Sequence, residues 1–526
     1  MTERQRSRLD WRWLILIPFI AIAFVLAFRV NKDSVDDSAT KILGSLAIDN
    51  SDAKIKWERY QTTNIELAEA LNISQSGTYH LTGVLEDAGI TVDAGVGEVR
   101  LILDNVSIDN NSGPAILCYN AENLVIELIG ENTLSDGENY LSSYNEDVRG
   151  VIYSKADLAF GGTGTLNIDS RYQDGIVGKD DVKFNSGTYN IAALSDAILG
   201  KDSVYIVSGK YNLKSSNHSI KSTNTNDYGK GFILVEDGSI DIESSSKGLR
   251  AINSILINGG NINIDSYDDA IHAENYVGVA GGELTIEAGD DAIHANKEVI
   301  VDGGLVNITK SFEGIEAEVV NINDGTLSIV ATDDGINAGD SSDDTSVIDP
   351  SKPKHDDLAK IDENCKIVFN GGYTYINSAG DGVDSNGHIY INDGKLVIDG
   401  PTDDNNGALD SGLGFITSGG TVVAVGFSGM AGDLGQSSNI FSISIYFPET
   451  QPAGTEIEIK NANDDTIISH SSAKEFNHLA ASTPQFVLGE TYTICLDGEK
   501  YQDFKITEIV TTINANDNLY HNSPKV

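Results

Sequence analysis

The chain has 526 residues, enough for roughly two to four globular domains or for one long repeat structure in which each unit contacts only its neighbours. Its formal net charge is −44, from 79 acidic and 35 basic residues, which argues against nucleic acid as a partner because nucleic-acid binding requires a basic surface. Cations, or polymers bridged by cations, suit this balance better. The three cysteines, Cys118, Cys365 and Cys495, have no zinc-like spacing and predict no disulfide framework.

The N-terminus carries a targeting signal. Arginines between Arg4 and Arg12 precede an apolar run, Trp13–Phe28, so residues 1–30 are predicted to form a cytoplasmic stub and a single-pass signal anchor that exports the rest of the chain. No convincing cleavage site follows the run, which favours an uncleaved anchor over a removed signal peptide. Both alternatives place the body outside the cytoplasm. Residues 31–62, polar and acidic, are predicted to be a linker between the membrane and the body.

One phrase is written four times in the middle of the chain. It reads D-A-I-H-A at Asp269–Ala273 and Asp291–Ala295, E-G-I-E-A at Glu313–Ala317 and D-G-I-N-A at Asp334–Ala338, with first residues 22, 22 and 21 positions apart. Between the phrases come glycine corners followed by alternating apolar runs, such as G-G-E-L-T-I from Gly281. A fixed period with two turn signals in each unit predicts a solenoid.

The unit length decides the kind of solenoid. A unit of 22 residues is too short for a strand–helix–strand crossover, its apolar positions alternate with period two, and the leucine-rich repeat signature is absent. We therefore predict an all-β fold, a single-stranded parallel β-helix over residues 63–438, with right-handed winding as the prior. Residues 439–513 are predicted to form a small C-terminal β cap over the open edge of the last coil. Residues 514–526 are predicted to be a disordered tail.

Several phrases together resemble a known family. They are S-G-T-Y-H-L-T-G from Ser76, E-V-R-L-I-L-D-N-V-S-I from Glu98, G-E-N-T-L-S-D-G-E-N-Y from Gly130 and F-V-L-G-E-T-Y-T-I from Phe486, beside the repeated coils. The set resembles bacterial carbohydrate-binding-domain proteins with a polysaccharide-lyase-like right-handed β-helix, of the clostridial cellulose- and pectin-binding surface protein type. The resemblance implies an exported protein that binds acidic plant-type or cellulosic polysaccharide, with calcium on the β-helix and without established lyase activity.

The acids of the repeated phrase are candidate calcium ligands. Because the isoleucine of each phrase must point inward, the small second residue and the fourth residue are predicted to point outward, and the leading acid to lie in the turn. Stacked coils then predict a shallow trough with an acidic wall, whose oxygens suit Ca²⁺. The alternative is that each acid caps its own turn through an Asx-type hydrogen bond. The predicted ligands are Asp268, Asp269, Asp290, Asp291, Glu313, Asp333, Asp334, Asp381 and Asp384.

Two further rows are candidate carbohydrate contacts. Three lysines recur at intervals of 24 and 22 residues and could engage uronate carboxylates, or could pair with neighbouring aspartates. Two histidines and a glutamate occupy successive fourth positions and could instead hold a transition metal or reflect only a repeated surface motif. The residues are Lys155, Lys179, Lys201, His272, His294 and Glu316.

The leading functional prediction is a surface-associated, calcium-assisted and non-catalytic protein that binds cellulose or acidic, pectin-like polysaccharide. One alternative is a calcium-dependent polysaccharide lyase acting by β-elimination on uronates, which requires a lysine or arginine of lowered pKa beside the acids. The fourth positions of the most acidic coils are His, His, Glu and Asn, so no catalytic residue is predicted. A second alternative is a structural adhesin.

Overall fold

A computed structural model describes residues 39–144, 147–339 and 361–514. Three parallel sheets wind around one apolar core, and each strand pairs with the equivalent strand of the next coil. Ile271 pairs with Ile293, and Ile293 with Ile315, so the register advances by one repeat for each coil. The predicted all-β fold and parallel β-helix are confirmed, whereas the handedness of the winding stays a prediction.

The strands fall into three sets, and some long strands turn from one sheet into another. The first sheet contains the repeated phrases and their equivalents: Leu71–Ile73, Ile90–Asp93, Ile116–Asn120, Gly150–Ser154, Asp174–Gly178, Ile198–Gly200, Ile220–Ser222, Leu249–Ala251, Ile271–Ala273, Ile293–Val301, Ile315–Ile322, Ile336–Ala338 and Val383–Ser385. The second sheet shares Ile293–Val301 and Ile315–Ile322 and adds Thr62–Leu67, Gly77–Glu86, Val99–Asn110, Asn123–Ile129, Asp157–Gly162, Asp181–Phe184, Ser203–Ile206, Phe232–Val235, Ser254–Ile257, Tyr276–Val279, Lys366–Phe369, His388–Ile391 and Gly414–Thr417. The third sheet shares Gly77–Glu86 and Val99–Asn110 and adds Glu131–Asp136, Thr165–Ser170, Thr188–Ala193, Lys210–Ser215, Ser239–Ser244, Asn261–Ser266, Glu283–Ala288, Leu305–Ser311, Thr326–Ala331, Tyr373–Ser378, Lys395–Asp399 and Thr421–Gly426.

The core is a column of aliphatic side chains. Ile271, Ile293 and Ile315 are fully buried, one above the other, as the alternation of the repeat requires. Burying each such side chain contributes about 1.5–3 kcal/mol. At the corners before the third sheet, Gly282 has φ +93° and a Cβ there would lie 2.8 Å from the carbonyl oxygen of Gly260 in the preceding coil. The repeated corner glycine therefore serves both the backbone conformation and the close stacking of coils.

The N-terminal part of the described chain lies along the second sheet. It contains an α-helix, Ala39–Ser45, and two 3₁₀ helices, Asp52–Lys54 and Trp57–Arg59. The helix places apolar residues at positions 39, 42 and 43, the spacing of one helical face, and this face packs on Leu234 and Leu256. Residues 39–61 of the segment predicted as a linker thus contact the solenoid.

The C-terminal strands form the predicted β cap. The strand Phe476–Ser482 pairs antiparallel with Thr421–Gly426, the last strand of the third sheet, and so covers an edge that would otherwise remain open. The cap comprises Ser442–Gln451, Phe476–Ser482 and Val510–Asn514, together with a separate antiparallel sheet of Glu456–Lys460, Thr466–Ser471, Thr491–Leu496 and Glu499–Lys505.

Within residues 39–144, 147–339 and 361–514, no helix has both the length and the apolar character needed to cross a membrane. The signal anchor predicted for residues 1–30 lies outside the described residues, as do residues 515–526 of the predicted tail.

Candidate functional site

Asp269 and Asp291 lie in the turns before strands of the first sheet, as predicted, but they are buried. Asp269 is 2 % and Asp291 3 % exposed. The backbone N–H of Asp291 donates to Oδ1 of Asp269 at 3.2 Å, and that of Asp196 donates to Oδ1 of Asp174 at 3.0 Å. Asp174 and Asp269 therefore cap the turn of the next coil, not their own, whereas Oδ1 of Asp291 accepts no hydrogen bond within the described residues. A sequence shows the acid but not an acceptor–donor pair that lies 22 residues apart.

The predicted open trough is wrong. Ala270 and Ala292, at the second position of the phrase, are fully buried, and a Cβ on Gly335 would lie 2.5 Å from the carbonyl oxygen of Gly382. The second residue is small because successive backbones approach closely there. A ligand is not needed to explain its size. His272 and His294 are each only 2 % exposed, so neither imidazole can contact a polymer in this conformation.

The fourth position of the phrase forms a continuous row along the first sheet, and its chemistry changes from one end to the other. We call it the fourth-position row. It begins with apolar residues, continues with two bases and two histidines, and ends with polar and acidic residues. Its members are Tyr153, Val177, Leu199, Lys221, Arg250, His272, His294, Glu316, Asn337 and Asp384.

In the basic half of this row, neighbouring cations neutralise the buried acids. Lys221 Nζ lies 3.2 Å from Asp196, and Lys247, from the adjoining turn, lies 2.5 Å from Asp269. Burial and the charges of Lys221 and nearby bases lower the pKa of His218 to about 3. This half of the first sheet is therefore locally balanced in charge, and its acids act as internal structural caps.

The two histidines form a stacked pair between the halves. Their ring centroids are 4.7 Å apart, and their Nδ1 atoms lie 2.8 Å from Asp269 and 2.9 Å from Asp291, respectively. Burial alone would lower the pKa of His294, but the hydrogen bonds to Asp291 and Glu316 raise it to about 12. Ligand atoms of Asp269, His272 and His294 lie within 4.8 Å of one another, as do those of Asp291, His294 and Glu316, so the transition-metal alternative stays a prediction.

In the acidic half, carboxylates crowd together. Ligand atoms of Asp334, Asp381 and Asp384 lie within 4.8 Å of one another. Burial and the charges of Asp381, Asp333 and Asp384 raise the pKa of Asp334 to about 9. A divalent cation would remove the mutual repulsion, and three carboxylates from adjacent coils are the hard oxygen donors that Ca²⁺ takes. The residues present thus fit a calcium ion, and we call them the acid cluster.

Other predicted ligands differ in how well they fit a cation. Asp268, Asp269 and Asp290 also converge, but Lys247 already lies 3.2 Å from Asp268. Burial raises the pKa of Glu313 well above its usual range, reinforced by the charge of Asp291. Among the described residues, Oδ1 of Asp291 is buried without a hydrogen-bond partner.

The predicted lysines occupy equivalent positions in three successive coils, each directly after a strand of the first sheet. Lys155 Nζ lies 5.7 Å from the centre of the Tyr119 ring, and Lys179 lies 4.0 Å from Asp147. Only Lys201 pairs with the aspartate that follows it in sequence, at 3.7 Å from Asp202. The row is accessible to solvent, and its charges are weakly paired.

A cluster that the sequence reading missed lies on the second sheet. Asp157, Asp180 and Asp181 offer carboxylate oxygens within 4.8 Å of one another. Burial, followed by the charges of Asp180 and Asp181, raises the pKa of Asp157 to about 7. Lys230 lies 2.7 Å from Asp181 and supplies a compensating cation. The repeated lysine–aspartate phrase marks these positions, but their convergence requires the stacking of coils.

Comparison with known proteins extends the resemblance noted in the sequence. The family model described as "Carbohydrate-binding domain-containing protein" matches residues 68–314 and 263–405, more than half of the chain. A relative with the same description, from Acetivibrio thermocellus, is 29% identical over 188 residues. That match covers 34% of this chain and 65% of the relative, so less than two thirds of the relative is spanned.

Among solved structures, the chain is similar to a polysaccharide lyase-like protein from C. thermocellum, determined as a gadolinium derivative. The identity is 25% and the TM-score 0.40, over 42% of this chain and 96% of the other. The family model covers most of the β-helix, including the acid cluster, and it confirms the resemblance. The chain belongs to the carbohydrate-binding domain-containing protein family.

Proposed function

We propose that the protein is an exported, surface-associated and non-catalytic binder of acidic, pectin-like polysaccharide or cellulose, assisted by calcium. Residues 1–30 would anchor it to the membrane or be removed by cleavage. The observation that carries the proposal is the acid cluster of Asp334, Asp381 and Asp384, whose ligand atoms converge within 4.8 Å.

The acid cluster suits a shared ion. Ca²⁺ takes six to eight oxygen ligands, so three protein carboxylates leave coordination positions for the carboxylates of a uronate polymer or for water. Asp381 is buried, whereas Asp334 and Asp384 are half-buried, so the ion would be held from below and open to solvent above. Residues of this cluster would hold the ion, and the ion would neutralise both protein and polymer charge.

The regular coil spacing supports a linear ligand. Equivalent side chains repeat about every 4.8 Å along the axis of stacked strands. The lysine row of Lys155, Lys179 and Lys201 offers a second, cationic contact for uronate carboxylates nearer the N-terminal end of the solenoid. A polymer lying along this surface would contact both groups.

Catalysis by β-elimination is less well supported. Glu316, Asn337 and Asp384 occupy the fourth-position row around the acid cluster, and none can serve as a lysine or arginine base. Burial lowers the pKa of Lys474, but its Nζ donates to the carbonyl oxygens of Ser378 and Gly400. Lys474 therefore joins the cap to the third sheet and is not positioned as a general base.

The test uses the full chain with polygalacturonate, in calcium or in chelator. We expect the protein to sediment with the polymer in calcium and to lose this association in chelator, without ultraviolet absorbance from unsaturated products. Growth of that absorbance in calcium alone would establish a lyase instead. Failure to associate with polygalacturonate or cellulose would leave the structural adhesin.

The calcium site has its own test. Saturating calcium at about 100 times its dissociation constant would stabilise the folded chain by about 2.7 kcal/mol and raise the melting temperature. Asp384→Asn should abolish this rise and weaken calcium-dependent sedimentation. Asp265→Asn, an exposed position on the third sheet, is the matched control and should retain both. An unchanged calcium response in Asp384→Asn would contradict the proposed ligand.

A further inference from the structure

A cavity of about 560 Å³ lies outside the second sheet, far in sequence from the acid cluster. One wall is the helix Ala39–Ser45 and the other is an excursion of the chain at 224–230, while Asn253 and Asn275 line it from successive coils. Its volume falls within the range of about 300–1,000 Å³ typical of small-molecule sites.

The walls of the cavity are held in place by hydrogen bonds. Asn224 Oδ1 accepts the backbone N–H of Asn226 at 2.8 Å and of Asp227 at 3.1 Å, which fixes the excursion. The backbone N–H of Ala47 donates to the carbonyl oxygen of Gly229 at 2.9 Å and joins the two walls. The cavity is therefore a built feature, and its shape is largely set before a ligand enters.

Its inner surface carries an ordered chain of amides. Asn253 Nδ2 donates to the carbonyl oxygen of Lys230 at 3.0 Å, and Asn275 Nδ2 donates to Asn253 Oδ1 at 3.2 Å. The chain ends at Oδ1 of Asn275, which accepts from no donor within the described residues. Asparagine amides both donate and accept, as sugar hydroxyl groups do, so this surface suits a polyhydroxylated ligand.

The charges around the cavity balance. Its lining includes two lysines, Lys41 and Lys230, and two acids, Asp227 and Glu298. These groups are engaged within the protein: for example, Lys230 lies 2.7 Å from Asp181, Asp227 lies 2.8 Å from Asn224 and Glu298 lies 2.8 Å from Asn321. A strongly charged ligand would have to displace these bonds, which favours a neutral one.

Two tyrosines supply an apolar surface beside the amides. Tyr228, on the excursion, is 90% exposed, and Tyr276 is half-buried in the second sheet. Tyrosine presents a large, rigid face with a polar tip, a combination suited to a ligand with apolar C–H faces and hydroxyl edges. We propose that this cavity binds a short neutral oligosaccharide, with a sugar ring against Tyr228 and hydroxyl groups on Asn253 and Asn275.

This site does not depend on the acid cluster or on calcium. The test therefore uses the full chain in chelator, which removes any calcium-dependent contact, and measures binding of cellohexaose, xylohexaose and maltohexaose by isothermal titration calorimetry. Hexagalacturonate is the charged comparator. We expect at least one neutral hexasaccharide to bind, and to bind more tightly than hexagalacturonate.

Variants locate the binding. Tyr228→Ala removes a side chain that is almost fully exposed, so folding is retained, and it should weaken binding at least about tenfold, as loss of an aromatic anchor does. Asn275→Ala should also weaken binding. Tyr267→Ala is the matched control, because Tyr267 is 77% exposed but lies outside the cavity, and it should bind as the unmodified chain does.

Three results would overturn the assignment. They are absence of binding by all three neutral saccharides, equal binding by Tyr228→Ala and the unmodified chain, and tighter binding of hexagalacturonate. If Asp384→Asn loses its calcium-dependent binding of polygalacturonate, its binding of neutral hexasaccharides in chelator should be unchanged. The two proposals can therefore fail separately.

Discussion

The two halves of the fourth-position row use the same backbone to opposite effect. In the basic half, Lys247 lies 2.5 Å from buried Asp269, and Lys221 lies 3.2 Å from buried Asp196. In the acidic half, the equivalent turn places Asp334 beside Asp381 and Asp384. The β-helix determines the positions of these side chains but not their charges. Coils with the same backbone can therefore provide either internal caps or a cation site.

The difference shows why the buried acids need not be functional. An acid that caps the next coil and also faces a lysine is fully accounted for by the stability of the solenoid. An acid that caps the next coil and lies beside further acids, as Asp334 lies beside Asp381 and Asp384, would be stabilised by a proton or by an external cation. The candidate cation site therefore lies at the C-terminal end of the repeated stretch and not at its centre.

The largest expected effect tests the basic half. Lys247→Met would leave the carboxylate of Asp269 buried without its cation, and we expect the free energy of unfolding to fall by about 3 kcal/mol, the lower end for breaking a buried pair because His272 still contacts Asp269. Urea titration followed by circular dichroism measures this change. The control is Lys310→Met, at an exposed position. A loss as small as that of the control would break the comparison.

A smaller expected effect is the pH dependence of stability, which should have opposite signs for His218 in the basic half and for His294 beside the acidic half. The pKa of His218 is lowered to about 3, so its contribution to stability is complete above its ordinary pKa of 6.5 and declines as the pH falls towards 3. The pKa of His294 is raised to about 12, so its contribution is complete below 6.5 and declines as the pH rises towards 12.

Urea titrations of His218→Gln and His294→Gln against the unmodified chain, from pH 5 to pH 9, measure these slopes. The stability difference should shrink towards acid for His218→Gln and towards alkali for His294→Gln. Slopes of the same sign would show that the charge of the surroundings does not change along the row as described.

The smallest expected effect tests whether burial decides how much an ion pair contributes to stability. Lys214 and Glu243 form an ion pair at 2.6 Å on the third sheet, but their side chains are 65% and 64% exposed. Lys214→Met should change the free energy of unfolding by less than about 1 kcal/mol, since solvent screens the pair. The same urea titration applies, and a change as large as that of Lys247→Met would mean that distance, not burial, governs these pairs.

Much of the architecture was predictable. The isoleucine of each phrase and the glycine of each corner carry the period in the sequence, and Ile271 and Gly282 occupy the positions expected of them. All three members of the acid cluster were also among the predicted ligands. His272 and His294 were predicted to be exposed, but they are buried. Their burial depends on side chains from neighbouring coils that cover them, and no local sequence pattern describes those contacts.

The sequence by itself determined the repeat, the inward column and the composition of each row, because these follow from side-chain alternation within a single coil. Tertiary structure alone decided which charges meet, because Asp334 and Asp381 are 47 residues apart and become neighbours only when coils stack. It also decided where residues 39–61 lie and that a cavity forms beside them, since the helix Ala39–Ser45 packs against strands some two hundred residues later in the chain.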